Sequence, residues 1–463
     1  MSADFRFRLF DWLARPVVFL ALALLLAVEK QVLAVISTAG GQDITETTFA
    51  FGEYIEGLIE RGTYSSCVGD SCEYASRMPL LPLILASLSV FSREMVVVTM
   101  LKCGLWSVLS VAGVFLVRRF AGRWASIVTL SASLGLIFII TSPSLAKHVS
   151  VLHYEEAFLI EMLLVWWLCL MVLMASVWER DSTVAKAPLA GLLILLGVLM
   201  FLLKETMISL MVVSLTGGLL IWLREGRALW RPSFSVMVMS GAVLFGAWVT
   251  YNSSVTDRLA VFTSWNGENR YQSANPYTAA IYPDIVPDVI FYDVTEAVLQ
   301  DGTVIAIPRL KRRREFASET EWDAHYRQEA ATWIANNPEA WWAYREKTTR
   351  NFFLSIERTP VSIQPVFTLR QDRAQRLFDE LVGVWLVWGR VIQFAFAGLV
   401  VFLLIAGPWP TRFTAIGAFL TAMAYAAPYI YGLNYERHIV PFLFVITLAS
   451  VFLVGERLQA RRR

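Results

Sequence analysis

The chain has 463 residues, of which 56% are hydrophobic and 17% charged, and its formal net charge is +2. A soluble domain carries about a quarter of its residues as charges, so this composition, with a mean hydropathy of +0.54, excludes an ordinary soluble protein. The small net charge says little about partners, because positive residues are sorted along the chain, and no nucleic acid is expected among them.

Apolar runs of roughly 17–25 residues, the length that crosses a bilayer core, recur from end to end. Arg6, Arg8 and Arg15 precede the first, 16–36. No small-residue cleavage site follows it, so it reads as a retained span and not a signal peptide. The positive-inside rule puts the N-terminus in the cytoplasm and the next loop outside. That loop, 39–78, holds Asp43, Glu46, Glu53, Glu56, Glu60 and Arg77. Its Cys67 and Cys72, in CVGDSC, suit a small-loop disulfide in an oxidising compartment; two thiols alone make a poor zinc site.

The run 79–91 has only about a dozen apolar residues, too few for a span, and reads as re-entrant or interfacial. Spans follow at 95–117, 124–142, 157–178, 187–203, 206–223 and 234–251, then at 381–406, 413–430 and 439–454. With this parity the basic loops fall inside: Arg118, Arg119 and Arg123; Arg180 and Lys186; Arg224, Arg227 and Arg231; Arg412; and Arg461 to Arg463.

Four polar sites then meet on the outer face: the opening loop; the connection 142–156 with Lys147, His148, His153, Glu155 and Glu156; Lys204 with Glu205; and the stretch NYERH ending in Arg437 and His438. Ionisable groups at membrane depth are functional candidates, and four on one face point to a shared aqueous site. The polar region 252–380 opens as loop and continues as two helices broken at Asn337 and Pro338. Its Trp333, Trp341, Trp342, Phe352 and Phe353 are spaced to lie on the membrane surface. The basic run 311–314 reads as solvated loop. The chain therefore divides into an N-terminal transmembrane module (1–251), an extracytoplasmic region (252–380) and a C-terminal transmembrane module (381–463).

Taken in order, these segments resemble the GT-C glycosyltransferases that use polyprenyl-phosphate sugars, the superfamily of the aminoarabinose and protein mannosyl transferases. The matching pieces are Glu46; the aromatic and small-residue segment 49–57; Gly62, Thr63 and Tyr64; and Arg77, Met78 and Pro79 leading a Pro-containing apolar run. Further on come Ser142 and Pro143 with Glu155, then Lys204 between two short helices. TSWNGENRYQSANP, ANNPEAWWAYREKTTRNFF and ERHIVPFLF complete the series. The family opens with Asp at about the position of Thr47, where the nearest acids here are Glu46 and Asp43. Ala274 stands where a Gly is common.

The resemblance implies an all-α polytopic membrane protein, a GT-C-like bundle of about ten transmembrane helices with a mixed extracytoplasmic loop domain. It implies an inverting glycosyltransferase of the cell inner membrane. The donor is a polyprenyl-phosphate sugar and the acceptor a glycan, lipid or protein hydroxyl on the periplasmic face. A phosphate leaves without protonation, so the chemistry needs one carboxylate as base and cations on the departing phosphate. Glu46 is the first choice of base and Asp43 the second, with Glu155 orienting acceptor or base. Arg77, Lys204, Arg437 and His438 are assigned to the phosphate. No metal ligand set is read; two acids could hold a divalent cation, which the nearby positive groups make dispensable. The alternative is a transporter or flippase of a lipid-linked sugar, which would favour midplane charges and internal repeats.

Overall fold

The computed structural model describes residues 20–21, 24–25, 28, 43–46, 51–68, 71–105, 107–108, 111, 156–176, 183–226, 231–282, 296–299, 302–307, 309–353, 391–432 and short pieces of 442–454. Four described helices are long and apolar enough to cross a membrane: Lys186–Leu203, Glu205–Arg224, Pro232–Thr256 and Thr411–Tyr431. The chain is thus a helical membrane protein. The expected spans at 16–36, 124–142 and 439–454 lie mostly or wholly outside the described residues.

The membrane body is built on α5 (Thr183–Leu203), flanked by α4 (Glu156–Ser176), α6 (Ile208–Glu225) and α7 (Pro232–Thr256). In α5, 78% of the apolar window is buried inside the protein, against 28% for α6 and 17% for α7, so α5 is the central post and the other two face lipid. Lipid is as apolar as a leucine, so such helices associate through close packing and buried hydrogen bonds. Gly197 supplies the close approach: a Cβ there would sit 2.4 Å from Ser214 Oγ on α6. The same hydroxyl donates to Leu210 O at 2.8 Å and accepts from Trp166 Nε1 of α4 at 2.6 Å. One serine thus joins three helices.

Before this body lies the opening loop. Its helix α1 (Gly52–Glu56) continues as a wider turn to Arg61, and a hairpin of β1 (Ser66–Val68) and β2 (Ser71–Glu73) follows. Cys67 and Cys72 are opposite one another in that hairpin and form a disulfide, as their spacing suggested. Next comes α2 (Leu80–Leu88). At 1.5 Å per residue it is about 13 Å long, less than half a bilayer core. The opening loop touches both of its ends: Tyr64 Oη donates to Arg77 O ahead of it, and Arg93 after it bonds Glu60 at 3.0 Å and accepts from Ile44 N. A segment that leaves and rejoins one loop does not cross. The apolar helix α3 (Met95–Leu105) follows.

Beyond α7 the polar region forms a helical layer: α8 (Asn266–Gln272), α9 (Pro276–Ile281), a small hairpin of β3 (Glu296–Val298) and β4 (Val304–Ala306), then α10 (Glu319–Asn336) and α11 (Pro338–Phe353). The break between α10 and α11 falls at Asn337, where the sequence placed it. Fully buried Asp323 ties the layer together, accepting from Gly267 N at 2.7 Å, from Arg327 Nε at 2.9 Å and from Arg258. The chain then returns to the membrane as α12 (Val391–Ala406) and α13 (Trp409–Tyr431).

The aromatic residues of α11 do not all lie on a surface as expected. Trp342 is exposed, but Phe352 is fully buried, stacking on Tyr429 of α13 and meeting Phe442 edge-on. A burial partner from the C-terminal module outweighs the interfacial preference of the ring. Buried Arg345 makes the same join: Nη1 donates to Ile430 O at 2.9 Å and Gly432 O at 3.2 Å, and Nη2 to Ser273 O. It satisfies carbonyls at the C-terminal end of α13, where a cation also suits the helix dipole. Ile430 O would keep Thr348 Oγ1 at 3.2 Å, but Gly432 O and Ser273 O would lose the charged donor, so Arg345→Ala is expected to cost about 3 kcal/mol. A lower unfolding midpoint of the detergent-solubilised protein checks this. Arg345→Lys should recover only part, since an ammonium lacks the fork that spans three carbonyls.

Candidate functional site

At one end of the bundle a cavity of about 530 Å³ is lined by five pieces of chain: the loop before α2, the α5–α6 tip, the segment 262–274, Ile334 and Trp341 of α10 and α11, and the end of α13. That volume is within the range of small-molecule sites. Leu203, Ile208 and Tyr431 mark the helix ends that reach it, while Arg224 and Arg412 lie at the opposite ends of α6 and α13.

Arg77 is held to the cavity wall by its backbone neighbours. Tyr74 N and Ala75 N donate to the buried carboxylate of Glu319, the latter at 3.1 Å, and Ala75 O accepts from Ser264 N at 2.8 Å. Ser76 exchanges bonds with Tyr54 Oη at 2.7 and 3.1 Å, and Arg77 O accepts from Tyr64 Oη at 3.0 Å. Burial pushes the Tyr54 and Tyr64 hydroxyls well above their ordinary range, which keeps both protonated. The Arg77 guanidinium lies 3.4 Å from the ring centroid of Trp265 and 5.6 Å from that of Phe51, and its buried Nε has no hydrogen-bond partner among the described residues. Stacking occupies the face of a guanidinium and leaves its N–H edge for a ligand.

Lys204 and Glu205 enter from the α5–α6 tip. Extended backbone at Lys204 (φ −151°, ψ 119°) ends α5, and a 3-10 turn at Glu205–Met207 starts α6. Glu205 Oε2 accepts from Thr263 Oγ1 at 2.7 Å and Thr263 N at 3.2 Å, and Thr206 Oγ1 lies 3.2 Å from Tyr429 Oη of α13. Among the described residues on the wall, Glu205 is the one carboxylate, and Arg77, Lys204 and Arg270 line the same cavity.

The structure thus brings together Arg77 and Lys204. It does not bring Asp43 or Glu46 to the wall. Asp43 Oδ1 accepts from Thr45 N at 2.9 Å and Thr45 Oγ1 at 2.8 Å, its backbone pairs with Glu94, and Glu46 is exposed at the end of a 3-10 turn. Glu53 accepts from Ser66, and Glu60 pairs with Arg93. Phe51, from the same loop, does reach the wall. Glu155, Arg437 and His438 lie outside the described residues, as do Lys147, His148 and His153. Among the described residues no cluster of three His, Cys, Asp or Glu side chains is placed to hold a metal.

Glu73, on β2 close to this site, has its pKa raised by burial and then by the Glu319 carboxylate. A carboxyl whose folded pKa is raised stabilises the fold below its unfolded value and loses that contribution as pH rises to the folded value. Glu73→Gln is therefore expected to gain on the parent as pH rises from 4 through that window. Paired melting curves at pH 4 and pH 7 check this; an equal difference at both removes the assignment.

A scan of the chain against protein-family models finds no match, and searches of curated proteins and of solved structures return no similar chain.

Proposed function

We propose that this protein is an integral membrane inverting glycosyltransferase, a GT-C-like bundle of about ten spans, that moves a sugar from a polyprenyl phosphate to an acceptor hydroxyl. The observation that carries the reading is the meeting of Arg77, Lys204 and Glu205 in one cavity at the ends of membrane helices. A polyprenyl chain lies in the bilayer with its phosphate at the edge, so helix-end cations suit it. A stacked arginine with an unsatisfied N–H suits a phosphate oxygen.

In the reaction the acceptor oxygen attacks the anomeric carbon while the bond from that carbon to the phosphate oxygen breaks. The electron pair leaves with the phosphate, where Arg77 and Lys204 stabilise it. The acceptor proton passes to a carboxylate. Among the described residues Glu205 is the one on the cavity wall, and we assign it the role for which the sequence nominated Glu46 and Asp43. A single displacement inverts the anomeric centre.

Arg224 and Arg412 at the far helix ends and the Cys67–Cys72 disulfide near the cavity both favour an extracytoplasmic site in a cell inner membrane. Purified full-length protein in lipid vesicles, given a polyprenyl phosphate with a labelled sugar, tests the reading. Transfer or hydrolysis supports it; translocation across the vesicle without turnover replaces it with a carrier.

A further inference from the structure

We infer that the cavity-lining face of α8 is an acceptor subsite that binds a saccharide ring, an inference that rests on the function proposed above. Asn266, Asn269 and Arg270 fall at i, i+3 and i+4 on α8 and buried Ser273 follows at i+7, just past its end, so they share one face, and all four line the cavity. The side chains of Asn266 and Asn269 make no hydrogen bond, and Arg270 no ion pair, to any described residue. The Ser273 hydroxyl is already committed, donating to Arg270 O at 2.9 Å, so the open bonding capacity of this wall lies in Asn266, Asn269 and Arg270.

The helix is also locked in rotation. A Cβ on Gly267 would lie 2.1 Å from Asp323 O, and Gly267 N donates to that residue's carboxylate at 2.7 Å. On the buried side Gln272 Nε2 donates to Glu268 Oε1 at 2.7 Å. The ring of Trp341 on α11 also lines the cavity, whereas Trp265 at the start of the stripe carries the Arg77 guanidinium on its face.

Planar amides that both donate and accept match the paired hydroxyls of a sugar, and aromatic rings cover its apolar face. The ring is the acceptor's and not the donor's, on two grounds. Arg77 stacks on Trp265, whereas Asn269 and Ser273 lie roughly 6 and 12 Å further along the axis at 1.5 Å per residue; the donor sugar is bonded directly to its phosphate. Arg270 supplies a third cation where the phosphate already has two, which favours an acceptor with an acidic group of its own.

The test uses the full-length protein in nanodiscs and two kinds of probe. Saturation-transfer NMR is run with methyl β-D-glucopyranoside and methyl β-D-glucuronide, and equilibrium binding is measured with farnesyl phosphate. Ring protons of both glycosides should receive saturation, the glucuronide more strongly, also when farnesyl phosphate is saturating. Asn266→Ala with Asn269→Ala should reduce the signal at least fivefold and Arg270→Ala should erase the preference for the glucuronide. Farnesyl phosphate affinity should change by less than twofold in both variants, with unchanged melting temperatures. Absence of ring signal in the parent, its displacement by farnesyl phosphate, or its survival in the double variant overturns the subsite while leaving the phosphate site standing. Failure of the parent to bind farnesyl phosphate instead overturns the glycosyltransferase reading.

Discussion

Glu205→Gln is expected to lower the transfer rate by about 10²–10⁴-fold, the typical worth of a general base, without unfolding the protein. The substitution separates the bonding role of Glu205 from the base role proposed for it. Glu205 latches the α5–α6 tip to Thr263, through bonds of 2.7 and 3.2 Å to one carboxylate oxygen. A glutamine oxygen accepts both, so the latch persists while proton acceptance is lost. The loss should therefore appear in kcat with donor KM little changed, and the acidic limb of the pH–rate profile should disappear with it. Glu205→Asp, one methylene short, should retain part of the rate. Glu46→Gln and Asp43→Asn, whose carboxylates lie off the cavity wall, should stay within a few-fold of the parent. Loss of rate in Glu46→Gln with none in Glu205→Gln returns the base to the opening loop. An equal fall in melting temperature and rate for Glu205→Gln reduces Glu205 to a latch.

What could be read in the sequence follows the range of each interaction. Hydropathy marked the spans around 187–203, 206–223, 234–251 and 413–430 because a membrane helix satisfies its backbone within itself, so composition along the chain is enough. The Cys67–Cys72 bond and the break at Asn337 are short-range and were legible for the same reason. Arg77 and Lys204 stood out because a charge beside an apolar run is costly to place. The pairing of Glu319 with Tyr74, 245 residues away, has no local signature, yet it helps to fix Arg77. Arg345 carried no local signal that set it apart; the meeting of α11 with the end of α13 buries it. Phe352 was misplaced for the same reason. Glu205 had a visible signal, a charged pair between apolar runs with no glycine or proline, but the reading followed the lysine and left its neighbour without a role.

Arg77→Ala is the complementary experiment, because it removes charge from the leaving-group side and leaves the proposed base untouched. One donor aimed at developing negative charge is worth about 10²–10³-fold in rate, and charge-assisted bonds to the ground-state phosphate contribute about 1.5–3 kcal/mol to binding. The variant should therefore lose both farnesyl phosphate affinity and turnover, whereas Glu205→Gln loses turnover alone. Added salt should weaken phosphate binding in the parent and do so less in the variant, which has one fewer cation to screen. The backbone of residues 74–77 is held by Glu319, Ser264, Tyr54 and Tyr64, none of which bonds the guanidinium, so truncation should leave the loop in place. Trp265, whose face the guanidinium covers at 3.4 Å, is the neighbour most disturbed, with Phe51 at 5.6 Å the second. Arg77→Lys restores the charge but neither the planar stack nor the N–H edge, and should recover less than a tenth of the lost rate. Full recovery by lysine reduces the site to a point charge and removes the stacked geometry from the mechanism. Unaltered phosphate affinity in Arg77→Ala takes the donor out of this cavity, and the assignment of Glu205 goes with it.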